Sequence, residues 1–182
     1  MPEIATGSDS AACQSETLVT VESLAHAFTD WLNESSLKDS AAPPAESVFS
    51  VHDAVVTLDA SRASWLIRTG ISAGRVDELV PLLGLPKKED LSRALNTNST
   101  SLWRWARDKK ALPGQAVEQI LRSMQLQLFA ADVFGGVEPA RKWLRKPHPM
   151  LGGMAPGEFS DNEFGAQKVR GMLAGLKYGG VA

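Results

Sequence analysis

The feature that most constrains the fold of this 182-residue chain is the regular spacing of glycine, proline and asparagine between short amphipathic segments. From Ala73 to Gly136, these residues separate four segments that each have apolar positions at helical spacing. The segments are GRVDELVPLLG, KKEDLSRALN, NSTSLWRWARDK and GQAVEQILRSMQLQLFAADVFG. Because helices joined by such short connections pack against one another, the pattern predicts a small helical domain.

A second helical unit is predicted after the Gly135-Gly136 pair. It begins with the short helix EPARKWLRK, continues through the proline- and glycine-rich PHPMLGGMAPGEFSDNEFG, and ends in the helix AQKVRGMLAGLKY. In the middle segment, Gly152 and Gly153 are expected to form a tight turn that needs positive φ. The fold class predicted for the whole chain is all-α.

The N-terminal third differs from the rest in charge and composition. Residues 1–60 contain ten acidic residues and one basic residue, whereas the remainder is mildly basic and the total charge is -2. Residues 1–16 are small and polar, which predicts disorder. The next stretch, VESLAHAFTDWLNES, predicts an amphipathic helix capped by Thr20. The proline-containing SSLKDSAAPPAES is typical of a linker and is expected to uncouple this helix mechanically from the rest, and the helix itself could be docked or floating.

Two further elements are predicted before the helical domain. VFSVHDAVVTL alternates weakly and predicts an extended segment. Asp59 is positioned to cap a helix through ASRASWLIRT, which should end at Gly70.

Enzyme chemistry fits the sequence poorly. His26, His52 and His148 are isolated from one another and from Cys13, so the spacing of a zinc site is missing. Neither a nucleophile-elbow serine nor a phosphate-binding glycine loop is present. We therefore expect no catalytic residue, metal or cofactor. We also expect a cytoplasmic protein without a membrane span, since no apolar run approaches the ~20 residues needed.

Residues 87–110 fit a helix-turn-helix. Leu91, Ala94 and Leu95 would form the inner face of the first helix, and Asn96 would supply a left-handed turn residue. Asn98 or Ser99 can cap the second helix. Its inner face would contain Leu102, Trp105 and Ala106.

The opposite face of that second helix suits a DNA major groove. We predict Thr100, Trp103 and Arg104 near bases, and further polar and basic residues near phosphates. The predicted DNA-binding residues are Asn98, Ser99, Thr100, Trp103, Arg104, Arg107, Lys109 and Lys110. The same residues could instead form an ordinary solvated basic face.

The C-terminal helix has two notable stripes. Val169, Met172, Leu173 and Leu176 are apolar at helical spacing, and Gly171, Gly175 and Gly179 repeat at every fourth position. Each interior glycine costs a helix roughly 1 kcal/mol relative to alanine, so close approach of another backbone is the expected reason. That backbone could belong to the same domain or to a partner.

The segment ARKWLRKPHPMLGGMAPGEFSDNEFGAQKVRGMLAGLKYG resembles the toxin-binding domain of the Xre/MbcA/ParS family of bacterial antitoxins. The matching positions are Ala140, Trp143, Leu144, Pro147, Leu151, Gly152, Gly153, Pro156, Gly165, Val169, Leu173, Tyr178 and Gly179. The helices from about residue 70 to 136 resemble the Xre-type helix-turn-helix half of the same antitoxins. The resemblance covers about two thirds of the chain.

This resemblance implies an Xre-like helix-turn-helix domain (59–136) and a toxin-binding domain (137–182). Residues 1–58 lie outside it and are predicted from their composition to be an acidic, partly disordered leader with one possible helix. It further implies a RES-domain toxin as partner, an NAD-degrading enzyme whose active site the antitoxin blocks, and a homodimer that binds its own operator DNA. The toxin-binding residues it implies are Trp143, Val169, Met172, Leu173, Leu176, Lys177, Tyr178, Gly179 and Gly180.

The chain departs from the family pattern in two places. Gly157 and Ser160 stand where the family usually has leucines, and we expect Phe159 and Phe164 to supply the missing volume. Thr97 replaces the usual aliphatic residue before the recognition helix. An alternative function is a DNA-binding regulator whose C-terminal domain binds another partner or ligand.

Overall fold

The computed structural model of the chain describes residues 20–37, 48–52 and 55–179. Helices dominate these residues, which confirms the predicted all-α class. The helices are α1 (Val21–Ser35), α2 (Ala60–Thr69), α3 (Leu79–Leu82), α4 (Asp90–Ala94), α5 (Ser99–Arg107), α6 (Gly114–Phe134), α7 (Val137–Arg145), α8 (Pro156–Phe159) and α9 (Glu163–Tyr178). Short 3₁₀ helices cover Ala73–Glu78 and Pro149–Leu151. The predictions for the tail of residues 1–16, for Cys13 and for most of the linker lie outside the described residues.

The segment predicted to be extended forms an antiparallel hairpin of β1 (Phe49–His52) and β2 (Val55–Leu58), in which Phe49 pairs with Leu58. The hairpin lies between α1 and α2 in the chain, and β1 packs against α1 while β2 packs against α6. It therefore joins the N-terminal helix to the central helix of the fold.

Helix boundaries follow the capping residues that the sequence contains. The side chains of Thr20 and Asp59 accept hydrogen bonds from the backbone N–H groups of Ser23 and Arg62, at 3.2 and 2.6 Å. Both bonds satisfy N–H groups that a helix start leaves without an intrahelical partner. At Gly70 the backbone has φ +80°, a region that glycine adopts without a steric penalty, and α2 ends there.

α6 is the central helix and packs against α1, α2, α7, α9 and β2. Six apolar residues of α6 at helical spacing are predicted from the sequence to face inward. Five of them are fully or almost fully buried, namely Val117, Ile120, Leu121, Met124 and Leu128, whereas Val133 near the end of the helix is only partly buried. Burial of this stripe against several helices at once is the main apolar contribution to the fold.

α1 is part of the same core, so the prediction that the linker uncouples it from the rest is wrong. Phe28 and Leu32 have no solvent exposure and Trp31 is 2% exposed. The indole N–H of Trp31 donates to the carbonyl of Arg75 at 3.1 Å, and a guanidinium nitrogen of Arg62 donates to Asn33 at 3.0 Å. A segment whose composition is typical of linkers thus connects α1 and β1, which pack against each other.

No helix in the described ranges combines the length and apolarity needed to cross a membrane.

Candidate functional site

α4 and α5 are joined by a tight turn with the predicted backbone geometry. Asn96 has φ +48°, and Asn98 caps α5 by accepting a hydrogen bond from the N–H of Ser101 at 3.2 Å. Leu91, Leu95 and Leu102 are completely buried between the two helices and the core. Because these buried leucines fix how α5 packs, the face of α5 with the basic side chains points to solvent.

Most of the predicted DNA-binding residues lie exposed on α5 or directly before or after it. The exposed ones are Asn98, Ser99, Thr100, Arg104, Arg107, Lys109 and Lys110. The carboxylate of Asp108 lies among them and accepts from Arg107 Nε at 3.0 Å. The positive potential of this face is therefore partly reduced at its C-terminal end.

Trp103 is the exception among the predicted base-contacting residues. It is half-buried, and the ammonium of Lys88 lies 4.3 Å from its ring centroid. Lys88 is held in place by an ion pair with Asp77 at 2.8 Å. Lys88 thus covers part of the Trp103 ring within the chain, and the contact of Trp103 with bases stays a prediction.

The apolar stripe of α9 is mainly a packing face within this chain. Val169 and Leu173 have no solvent exposure and Met172 is 7% exposed, because this side of α9 packs against α6. The prediction that these three residues contact a toxin directly is therefore corrected in favour of the alternative that the helix packs on its own domain. Leu176 alone of the four lies exposed, at 58%.

The opposite side of α9 is open and carries aromatic residues at both ends. Phe164 is 85% exposed and Tyr178 is 72% exposed. At 3.6 residues per turn, Gly171 and Gly175 lie between them on the same face. A Cβ at Gly171 would meet no atom within 4 Å, so no other element in the described part of the chain approaches the helix there. Sequence reasoning missed Phe164 as a surface residue because it assigned the side chain a packing role.

Phe164 consequently does not supply the volume of the leucines replaced by Gly157 and Ser160, whereas Phe159 does pack against the core. Ser160 is buried and its hydroxyl donates to the carbonyl of Pro156 at 2.8 Å. Gly157 and Ser160 line a groove of about 790 Å³ between α4, α6 and α7. None of the described residues that line the groove is aromatic, and a Cβ at Gly157 would lie only 3.1 Å from the carbonyl oxygen of Leu144.

The last turn of α9 is joined to α6 by an ion pair. Lys177 Nζ lies 2.6 Å from Asp132 Oδ2, and the two side chains are 21% and 8% exposed. The hydrogen bond to Asp132 raises the pKa of Lys177. Lys177 Nζ also lies 5.6 Å from the ring centroid of Tyr178. Gly179 ends the helix in the left-handed region, and Gly180 lies outside the described residues.

Trp143 of α7 is half-buried in an aromatic cluster. Its ring lies 5.5 Å from Phe134 and 6.3 Å from His148, measured between centroids. The turn that follows has φ +65° and +83° at Gly152 and Gly153, as predicted. Trp143 therefore supports the loop after α7, with only part of its ring available to a partner.

Known proteins resemble this chain in the region that contains these surfaces. A family model for the antitoxin Xre/MbcA/ParS C-terminal toxin-binding domain matches residues 129–179. A protein named Antitoxin Xre from Yersinia enterocolitica is 30% identical over 128 residues, which cover 68% of this chain and 86% of that protein. A second Antitoxin Xre, from Pseudomonas putida, is 23% identical over 141 residues, covering 75% of this chain and 77% of that protein.

Proposed function

Because this chain belongs to the Xre family of antitoxins of toxin–antitoxin systems, we propose that it inhibits a RES-domain, NAD-degrading toxin by blocking the toxin's active site. The observation that carries this proposal is the end of α9, where Tyr178 and Leu176 project into solvent from an anchored helix. This end lies inside the segment that matches the toxin-binding family model. The antitoxin role is non-enzymatic.

The proposed toxin-contacting surface is the open face and the end of α9. It consists of Phe164, Gly171, Gly175, Leu176, Tyr178 and the residues from Gly179 onward. Aromatic side chains are frequent among residues that dominate binding energy, and glycines between them let a partner surface approach the helix closely. Val169, Met172 and Leu173 act indirectly, by holding α9 on α6. Trp143 acts in the same way, by supporting the neighbouring loop.

Tyr178 is the best single candidate for entering the toxin's active site. Its ring can fill an apolar or stacking slot, and its hydroxyl can meet a polar group there. The sequence continues with Gly179 and Gly180, and residues without side chains would need little room in a pocket. A narrow projection on a rigid helix can enter a pocket without losing much conformational freedom.

We further propose that the chain acts in the cytoplasm as a homodimer that binds its own operator, with α4 and α5 as a helix-turn-helix. Thr100 and Arg104 would contact bases, since both are exposed at the start and middle of α5. Asn98, Ser99, Arg107, Lys109 and Lys110 would lie nearer to phosphates. One short recognition helix buries little surface, so a dimer on a palindromic operator is needed for tight binding.

In this proposal residues 59–136 form the DNA-binding half and residues 137–182 the toxin-binding half. α1 is added to the DNA-binding half, because it packs on α6 and on the segment Ala73–Glu78.

Co-expression tests the inhibitory function. The toxin encoded beside this gene should stop growth and lower cellular NAD when expressed alone, and it should do neither when the full chain is present. A neighbouring protein that is harmless alone would contradict the proposal. That result would favour the regulator whose C-terminal domain binds another ligand.

A further inference from the structure

We infer that Asp132 is a positioning residue for toxin binding: through Lys177 it fixes the last turn of α9 and so holds Tyr178 in the orientation that the toxin meets. This inference rests on the function proposed above. It assigns Lys177 a role inside the chain, in place of the direct toxin contact predicted from the sequence.

The last turn of α9 needs such an attachment because apolar packing does not hold it. The deepest anchors, Val169 and Leu173, lie one turn or more before the end of the helix. None of the residues 174–178 is buried. The final carbonyl groups of a helix also have no intrahelical partners, so an unattached last turn frays.

The Asp132–Lys177 ion pair supplies the attachment. Asp132 lies two residues before the end of α6, and its carboxylate is 8% exposed where it accepts from Lys177 Nζ at 2.6 Å. A charge-assisted hydrogen bond that is largely shielded from water is stronger and more directional than a surface ion pair. The pair therefore ties the end of α9 to the most extensively packed helix of the fold.

The attachment reaches Tyr178 through the same ammonium group. Lys177 Nζ lies 5.6 Å from the centroid of the Tyr178 ring, within the range of an attractive cation–π contact. The carboxylate of Asp132, the ammonium of Lys177 and the ring of Tyr178 thus form a continuous chain of contacts from α6 to the end of α9. Restricting the ring before the toxin binds lowers the entropy that binding would otherwise cost.

The free protein allows a first test, because Tyr178 is the sole tyrosine of the chain. Incorporation of 3-fluorotyrosine then gives one ¹⁹F NMR signal. Asp132→Asn and Lys177→Met should each narrow this signal and move it towards the shift of the free amino acid. Glu163→Gln is the matched control, because it removes two other ion pairs of α9, those with Arg170 and with Arg122 of α6, and should leave the signal unchanged. A signal that Asp132→Asn does not alter would overturn the inference.

The second test measures affinity for the co-expressed toxin in a double-mutant cycle. Asp132→Asn should weaken binding about threefold to tenfold, the range expected for ordering one side chain. In the Tyr178→Ala background it should cause no further loss, whereas Asp132→Glu should retain most of the affinity. Equal losses in both backgrounds would show a general structural role and overturn the inference. If Tyr178→Ala itself leaves toxin binding unchanged while the ¹⁹F signal responds as expected, the proposed toxin contact fails and the attachment stands.

Discussion

Phe28→Ala should destabilise the protein by about 3 to 5 kcal/mol, because it removes a large side chain that has no solvent exposure. The Phe28 ring lies 6.2 Å from that of Phe49, so its loss opens a cavity between α1 and β1. A domain of this size has a free energy of unfolding of about 5 to 15 kcal/mol, so the loss is a large share of the total.

Urea unfolding followed by tryptophan fluorescence measures this loss directly, since the chain has five tryptophans. The midpoint should fall by about 1.5 to 2.5 M for a slope near 2 kcal/mol per M. His26→Ala is the matched control: it changes an exposed residue of the same helix and should shift the free energy of unfolding by no more than about 0.5 kcal/mol.

Two N-terminal truncations test whether α1 is needed for the stability of the fold. Deletion of residues 1–45 removes α1 with Phe28, Trp31 and Leu32, and should leave a chain without a cooperative unfolding transition. Deletion of residues 1–19 spares α1 and should preserve both the transition and toxin neutralisation. We therefore expect that, of the acidic leader, only residues 1–19 are dispensable for toxin neutralisation. Two results would refute the role assigned to α1. One is a cooperative transition of normal midpoint after deletion of residues 1–45. The other is a decrease of less than about 1 kcal/mol in the free energy of unfolding for Phe28→Ala.

Three further predictions concern α9 and α5. Gly165→Ala should lower the melting temperature by several degrees, because a Cβ there would collide with the carbonyl oxygen of Phe159. Gly171→Ala should instead stabilise the free protein by up to about 1 kcal/mol, since its surroundings are open. The same change should weaken toxin binding. Unchanged toxin affinity would exclude Gly171 from the contact surface. Arg104→Ala with Arg107→Ala should weaken promoter binding and flatten its dependence on salt in a gel-shift titration, while toxin neutralisation remains. Unchanged promoter affinity would remove α5 as the reading helix.

Local features of the fold follow well from the sequence because their causes are local. The caps at Thr20, Asp59 and Asn98 depend on a side chain and a backbone N–H three residues away. The left-handed turn at Asn96 depends on the conformational preference of one residue. Such interactions are visible in a window of a few residues.

Tertiary relations were harder to predict, for identifiable reasons. The stripe of Val169, Met172 and Leu173 has the same spacing whether it packs on its own domain or on a partner, so periodicity could not decide between the two. Asp132 and Lys177 are 45 positions apart, and no pattern in either helix indicates that they meet. The docking of α1 depends on contacts across a segment whose composition is that of a flexible linker.

Removal of residues 177–182 tests most directly whether the end of α9 blocks the toxin. The truncated chain should stay folded and keep the promoter affinity of the full-length chain, because the buried anchors Val169 and Leu173 remain in place. Its melting temperature should fall somewhat, because the truncation removes Lys177 and leaves the carboxylate of Asp132 without its ion-pair partner. The quantity to measure is the rate of NAD loss in cells that express the toxin with either chain. We predict that the full chain preserves the NAD pool and that the truncated chain does not. Full protection by the truncated chain would contradict the account and leave the face from Phe164 to Gly175 to inhibit by docking alone.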